Sequence, residues 1–303
     1  MESIEEEIKR LCEEKDACIL AHYYVDESIQ KIAHYVGDSF YLAKVAKNDE
    51  RKTLVFCGVT FMGESAKIIN PAKKVLIPAP DAVCPMALMA DAKEIEKMRR
   101  EYDDLAVVCY INSEAKTKAL SDVCVTSSNA LKVVKKLPNK NIYFIPDNNL
   151  GRFVAKMLPE KNVILNRGFC HVHTSITADD IARAKWEHKD ALIIAHPECT
   201  EEVSDLADFL GSTKELIEFS AKNPAKEFIV CTEKGVLFEM QKKSPEKKFY
   251  FVGAKQICPN MKKLTLQKVR DCLANGFPEV EVSDDLRIAA AKPLEKMLLL
   301  AAD

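Results

Sequence analysis

Lys189-Asp190-Ala191-Leu192-Ile193-Ile194-Ala195-His196-Pro197-Glu198 is an apolar run that breaks into polar residues at its end. That is the pattern of a buried strand delivering side chains to its carboxyl end. It occurs twice more, as Lys15-Asp16-Ala17-Cys18-Ile19-Leu20-Ala21-His22-Tyr23-Tyr24 and Asp103-Asp104-Leu105-Ala106-Val107-Val108-Cys109-Tyr110-Ile111-Asn112. His22, Tyr110 and His196 are spaced by 88 and 86 residues. Ser39, Ser127 and Thr213 keep those offsets, as do Pro71, Pro159 and Pro245, each with Lys two residues on. Cys84, Cys170 and Cys258 follow at 86 and 88. One such coincidence is weak; four sets in register indicate an internal repeat.

In the first repeat, strands are predicted over 17–22, 53–57 and 74–77, and helices over 27–36, 39–47 and 63–69. Alternation of this kind makes parallel sheets from right-handed βαβ units. The expected fold is α/β: three homologous three-layer αβα domains at 1–88, 89–174 and 175–262. They are arranged with pseudo-threefold symmetry around a central active site. A helical tail over 263–303 closes the assembly.

The chain has 303 residues, 48% of them hydrophobic, and a net charge of −2 with both signs interleaved. Nothing in this balance favours nucleic acid or an anionic membrane surface. No apolar run approaches the roughly 18 residues of a membrane span. The acidic opening Met1-Glu2-Ser3-Ile4-Glu5-Glu6-Glu7 is the opposite of a signal peptide. A cytoplasmic protein is expected. Its eleven cysteines then read as thiols or metal ligands rather than disulfides.

In open parallel sheets, ligands bind beyond the carboxyl strand ends. His22 and Tyr24, Tyr110 and Asn112, and His196 and Glu198 all fall there. Any one of them alone is as well explained by a turn; three equivalent sets point to a shared site. Ser39, Ser127 and Thr213 stand before helical runs and are expected as N-caps, at helix ends suited to carboxylate or phosphate. Cys18, Cys57, Cys109 and Cys231 lie in apolar strand runs and read as core. Cys84, Cys170 and Cys258 each follow a last strand in a loop. Three equivalent thiolates match three irons of a [4Fe-4S] cluster, one per chain, with the fourth iron open to act as a Lewis acid. Zinc stays open as an alternative, although no local Cys-x-x-Cys pair supports it.

At these residues the chain resembles the quinolinate synthases. The resemblance rests on His22-x-Tyr24, Gly37-Asp38-Ser39, Phe61-Met62-Gly63-Glu64-Ser65-Ala66-Lys67, Tyr110-x-Asn112 and Thr126-Ser127-Ser128-Asn129-Ala130. It continues through Pro146-Asp147-Asn148-Asn149-Leu150, Gly168-x-Cys170-x-Val172-His173, His196-Pro197-Glu198-Cys199, Gly211-Ser212-Thr213 and Cys258-x-x-Met261-Lys262. It implies condensation of iminoaspartate (iminosuccinate) with dihydroxyacetone phosphate to quinolinate, in de novo NAD biosynthesis. It assigns the cluster to Cys84, Cys170 and Cys258. Substrate-binding roles fall to His22, Ser39, Tyr110, Ile111, Asn112, Ser127, His173, His196, Pro197, Glu198 and Thr213. Acid–base roles fall to Glu198, as principal base, and to His22, Tyr24, Tyr110 and His196. An aspartate-oxidising enzyme is the expected supplier of iminoaspartate. Tyr23 stands where many members have Asn, and Asn166 where many have Trp, departures that bear on cavity shape. Competing readings are a diphthamide-synthesis-like iron–sulfur transferase, a non-enzymatic iron–sulfur redox sensor, and a threefold scaffold with incidental thiols. The strand-end His, Tyr and Glu residues favour small-molecule chemistry over all three.

Overall fold

The computed structural model describes residues 2–253 and 255–302; the expected segment limits at 1 and 303 lie outside them. Among the described residues, three four-stranded sheets repeat one topology. The first holds β1 (Ala17–His22), β2 (Tyr35–Gly37), β3 (Thr53–Cys57) and β4 (Lys74–Leu76). The second holds β5 (Leu105–Tyr110), β6 (Val123–Val125), β7 (Asn141–Ile145) and β8 (Asn162–Leu165). The third holds β9 (Leu192–Ala195), β10 (Phe209–Leu210), β11 (Glu227–Cys231) and β12 (Lys248–Phe251). Each is parallel throughout, with orders β2-β1-β3-β4, β6-β5-β7-β8 and β10-β9-β11-β12. Helices flank each sheet, and β1 and β5 are buried along their whole length. This is why the strands read as continuous apolar runs rather than alternating ones.

Each repeat therefore has four strands, not the three expected. The helix predicted over 27–36 ends at Ile32, and Tyr35–Gly37 becomes the edge strand β2. Pairing with β1 decides this, because the free edge of β1 needs partners for its backbone groups. His34 starts the pairing: its N–H donates to Ile19 O at 3.0 Å, and its Nδ1 accepts from Ile19 N at 3.1 Å. Asp122 and Asp208 do the same with Val107 and Ile193, accepting at 2.7 and 2.8 Å.

The Pro-x-Lys landmarks also have a physical cause. Lys73 Nζ donates to the carbonyls of Ala46 and Asp49. Lys161 donates to Leu137 and Asn139, and Lys247 to Ser220, Ala221 and Asn223. In each repeat, one ammonium satisfies carbonyls at or just past the C-terminus of the helix before the third strand, where a cation is favoured.

The first two sheets share one apolar core with the C-terminal segment, whereas the faces of the third sheet pack as two smaller clusters. The helix Leu266–Asn275 lies against the helix Ile4–Glu14. The helix Asp284–Ala301 crosses from the helix Thr60–Ile69 of the first repeat to β6 and the helix Ala115–Ala119 of the second. No helix among the described residues is long and apolar enough to cross a membrane.

Candidate active site

The carboxyl ends of β1, β5 and β9 converge on one cavity. His22, Tyr24, Ser39, Tyr110, Asn112, Ser127, His173, His196, Glu198 and Thr213 line it, together with Cys84, Cys170 and Cys258. Ile111 and Pro197 do not: both are buried between lining residues, Ile111 within the core. Asp38, Val59, Phe61, Met62, Met86, Thr126, Val172, Glu233 and Met261 complete the wall.

The three hydroxyl positions are not N-caps. Asp38 caps the helix Ser39–Asn48 by accepting from Tyr41 N, and Ser212 caps Thr213–Lys222 through a capping box with Glu215. Asn129 holds the N-cap position of Ala130–Lys136. Because a capping hydroxyl is consumed by backbone N–H, using the neighbouring residue leaves Ser39, Ser127 and Thr213 for the cavity.

His22 and His196 are held alike. Nδ1 of His22 accepts from Tyr24 N, and Nδ1 of His196 from Glu198 N, each at 3.2 Å. Burial lowers both rings to about 3, against a partial pull upward from Glu198. Both are neutral at physiological pH with the proton on Nε2, so they act as hydrogen-bond donors.

Glu198 is 4% exposed. Burial opposes its charge, but His173 beside it, with hydrogen bonds from His173 and Tyr110, outweighs that and holds the carboxyl below its usual range. Tyr110 Oη donates to Oε1 at 2.5 Å, and His173 Nδ1 lies 2.8 Å from Oε2. His173 Nε2 is 2.9 Å from Thr232 Oγ1, Thr232 Oγ1 is 2.8 Å from Tyr24 Oη, and Tyr24 Oη is 2.6 Å from Thr213 Oγ1. A continuous hydrogen-bonded chain thus joins Tyr110, Glu198, His173, Thr232, Tyr24 and Thr213 across all three repeats. Thr232, fully buried, was not among the residues picked out from sequence. Its equivalents are Pro146 and Gly58, so the repeat carries no signal for it.

Eight of the eleven cysteines are buried; Cys84, Cys170 and Cys258 are the three that are not. Backbone N–H groups in the turn that follows each sulfur favour its thiolate: Ala87 and Met86 at Cys84, His173 at Cys170, and Met261 and Asn260 at Cys258. Such donors stabilise thiolate and are a means of tuning iron–sulfur centres. Burial still pushes all three thiols up, Cys84 to about 12, with neighbouring thiols adding to the effect at Cys84 and Cys170. Three thiolates here need a compensating cation, which a bound cluster or metal supplies. A second group of ligand atoms, from Cys170, His173 and Glu198, lies within 4.8 Å of one another.

Comparison with known proteins agrees with this architecture. The profile of the family described as "Quinolinate synthetase A protein" matches residues 6–299. The chain is 51% identical over 298 residues to the quinolinate synthase of Caldicellulosiruptor bescii, covering 98% of each. It is 51% identical over 300 residues to that of Fusobacterium nucleatum, covering 99% of this chain and 100% of the relative. It is 45% identical over 295 residues to that of Clostridioides difficile, covering 97% of each. A match of this length, running through all three repeats and the helical tail, places the chain in the quinolinate synthetase A protein family of enzymes.

Proposed function

We propose that this enzyme condenses iminoaspartate with dihydroxyacetone phosphate to form quinolinate for NAD biosynthesis, using a [4Fe-4S] cluster held by Cys84, Cys170 and Cys258. The observation that carries this reading is the segregation of the cysteines. The three at repeat-equivalent loops are the ones not buried, and they open on the cavity that holds the His, Tyr and Glu side chains. Such a cluster supplies an iron without a protein ligand, a Lewis acid for substrate oxygen or nitrogen.

The remaining chemistry belongs to the chain's own groups. Both substrates are anions, and the helices beginning at Ser39 and Thr213 present free N–H groups beside the cavity. The Nε2–H groups of His22 and His196 add two neutral donors. Asn112 Oδ1, buried without a protein partner, is placed to accept from the nitrogen of iminoaspartate. Carbon–carbon bond formation, ring closure and dehydration each move protons. Glu198 is the base: a proton it takes from substrate is handed to His173 and on through Thr232 to Tyr24, whose hydroxyl proton returns to substrate as acid, so base and acid are linked without solvent. Iminoaspartate hydrolyses in water, which calls for supply by an aspartate-oxidising enzyme. Eleven free cysteines suit the reducing cytoplasm.

The second reading is a single zinc-type ion at Cys170, His173 and Glu198, favoured by the closeness of their ligand atoms. Metal analysis under nitrogen separates the two. The cluster reading expects brown protein with about four irons and equivalent sulfide per chain. Cys84→Ala, Cys170→Ala and Cys258→Ala should each lose that iron, while Cys57→Ala, Cys109→Ala and Cys231→Ala retain it. Colourless protein with stoichiometric zinc would overturn the assignment.

A further inference from the structure

Two buried carboxyl groups hold the backbone of two proposed cluster ligands. Asp147 follows β7 by two residues, Glu233 follows β11 by two, and they are 86 residues apart, in register with the repeat. Asp147 is fully buried and Glu233 is 1% exposed. Asp147 Oδ1 accepts from Leu150 N at 2.7 Å, which fixes it to its own helix, and Oδ2 accepts from Cys170 N at 3.1 Å. Glu233 Oε2 accepts from Gly235 N at 2.5 Å and Oε1 from Cys258 N at 3.0 Å, with Lys262 Nζ 3.3 Å from the same oxygen. One oxygen of each carboxylate is thus anchored locally, and the other grips a cysteine backbone.

The first repeat lacks this device. Its equivalent position, 88 residues before Asp147, is Val59, which has no side-chain acceptor. The loop carrying Cys84 is tied before the cysteine instead, by Thr60 N to Ala82 O at 3.0 Å and by Lys263 Nζ to the Asp81 carbonyl at 2.6 Å and its carboxylate at 3.3 Å, with no side chain among the described residues gripping the Cys84 backbone. That ion pair is 38% and 62% exposed, a setting in which ion pairs are weak and screened by salt.

We propose that Asp147 and Glu233 are positioning residues that preset Cys170 and Cys258 for the cluster, and that Cys84 binds it last and releases it first. The inference rests on the three-cysteine cluster reading. A ligand held in its bound position loses little freedom on binding and rebinds at once after a bond breaks. A cysteine whose own backbone is not gripped carries its thiolate away, and a competitor takes its place.

The test uses the full chain loaded with its cluster under nitrogen. The chelator ferrozine removes iron while iodoacetamide alkylates each thiol as it is freed, and mass spectrometry follows every cysteine with time. In the wild-type protein, Cys84 should be labelled before Cys170 and Cys258, and earlier still in high salt. Asp147→Asn keeps one acceptor for the helix but turns an amide NH2 toward Cys170 N. Cys170 labelling should then come about tenfold sooner, the factor carried by one net hydrogen bond at the upper end of its ordinary range. Glu233→Gln should do the same for Cys258. Simultaneous labelling in the wild-type chain, or Cys170 or Cys258 ahead of Cys84, would overturn the proposal, and this order decides the matter even if a variant fails to fold. A chain that takes up no iron and sulfide overturns the cluster reading itself.

Discussion

Replacing Thr232 by Val cuts the hydrogen-bonded chain at its middle without opening a cavity, because the two side chains are nearly the same size. Thr232 Oγ1 makes two contacts, 2.9 Å to His173 Nε2 and 2.8 Å to Tyr24 Oη. Tyr24 keeps its 2.6 Å partner Thr213, so the loss falls on His173, whose Nε2 is left buried and unpaired. An orphaned buried polar group costs about 1–3 kcal/mol. If about 2–3 kcal/mol of this is expressed in the transition state, where protons move between Tyr24 and Glu198, turnover falls roughly 30- to 150-fold. The assay is quinolinate formation by cluster-loaded enzyme under nitrogen, with iron and sulfide measured on the same sample. Thr232 does not line the cavity, so kcat should fall while KM and iron content hold. Thr232→Ser restores the hydroxyl and should recover most of the rate. A Thr232→Val enzyme within twofold of wild type would refute the relay. Equal damage from Thr232→Ser would show that the methyl group, not the hydroxyl, is what matters.

Acid should destabilise the metal-free protein through its buried imidazoles. His22 and His196 titrate at about 3 when folded, against 6.5 ordinarily. Between those values the two rings bind two more protons in the unfolded chain, a contribution that falls by about 2.7 kcal/mol per unit as pH drops and is partly offset by Asp38, Asp147 and Glu233, whose carboxyls burial raises in the folded state. The depressed Glu198 carboxyl adds to the loss in the same sense once pH falls below its ordinary value of 4.5. Urea midpoints from pH 6 to pH 4 measure the slope, and His196→Asn should change it by the share of one ring, about 1.4 kcal/mol per unit. Lys247→Met removes three carbonyl contacts from a buried ammonium and should cost about 3 kcal/mol. An unchanged urea midpoint would show the clamp to be dispensable.

The central strands were legible because burial on both faces leaves little but apolar residues in them, as at β1 and β5. The edge strands β2, β6 and β10 were not. With two or three residues each, they carry no periodicity and form because a neighbour needs partners. A signal did exist: His34, Asp122 and Asp208 stand in register at offsets of 88 and 86, each replacing a carbonyl at the start of an edge strand. The site was legible where function is repeated, as at His22, Tyr110 and His196. It was hidden where one repeat alone was modified. Thr232 is such a case; Asp147 and Glu233, alike in two repeats, were hidden because the partner of each carboxylate is a backbone N–H that leaves no trace in composition.

The helix Asp284–Ala301 has a consequence for how the protein is made. It buries Ala290, Pro293, Leu294 and Met297, and Lys132 and Lys136 of the second repeat cap its last carbonyls. Its footprint spans the first two repeats, yet it follows all three sheets in chain order. During synthesis the sheets therefore emerge with that footprint bare, a state in which uncovered apolar surface invites misassociation. The ribosome releases the apolar cover after everything it covers, so a nascent or stalled chain exposes surface that the finished one hides, the condition under which chaperones are engaged.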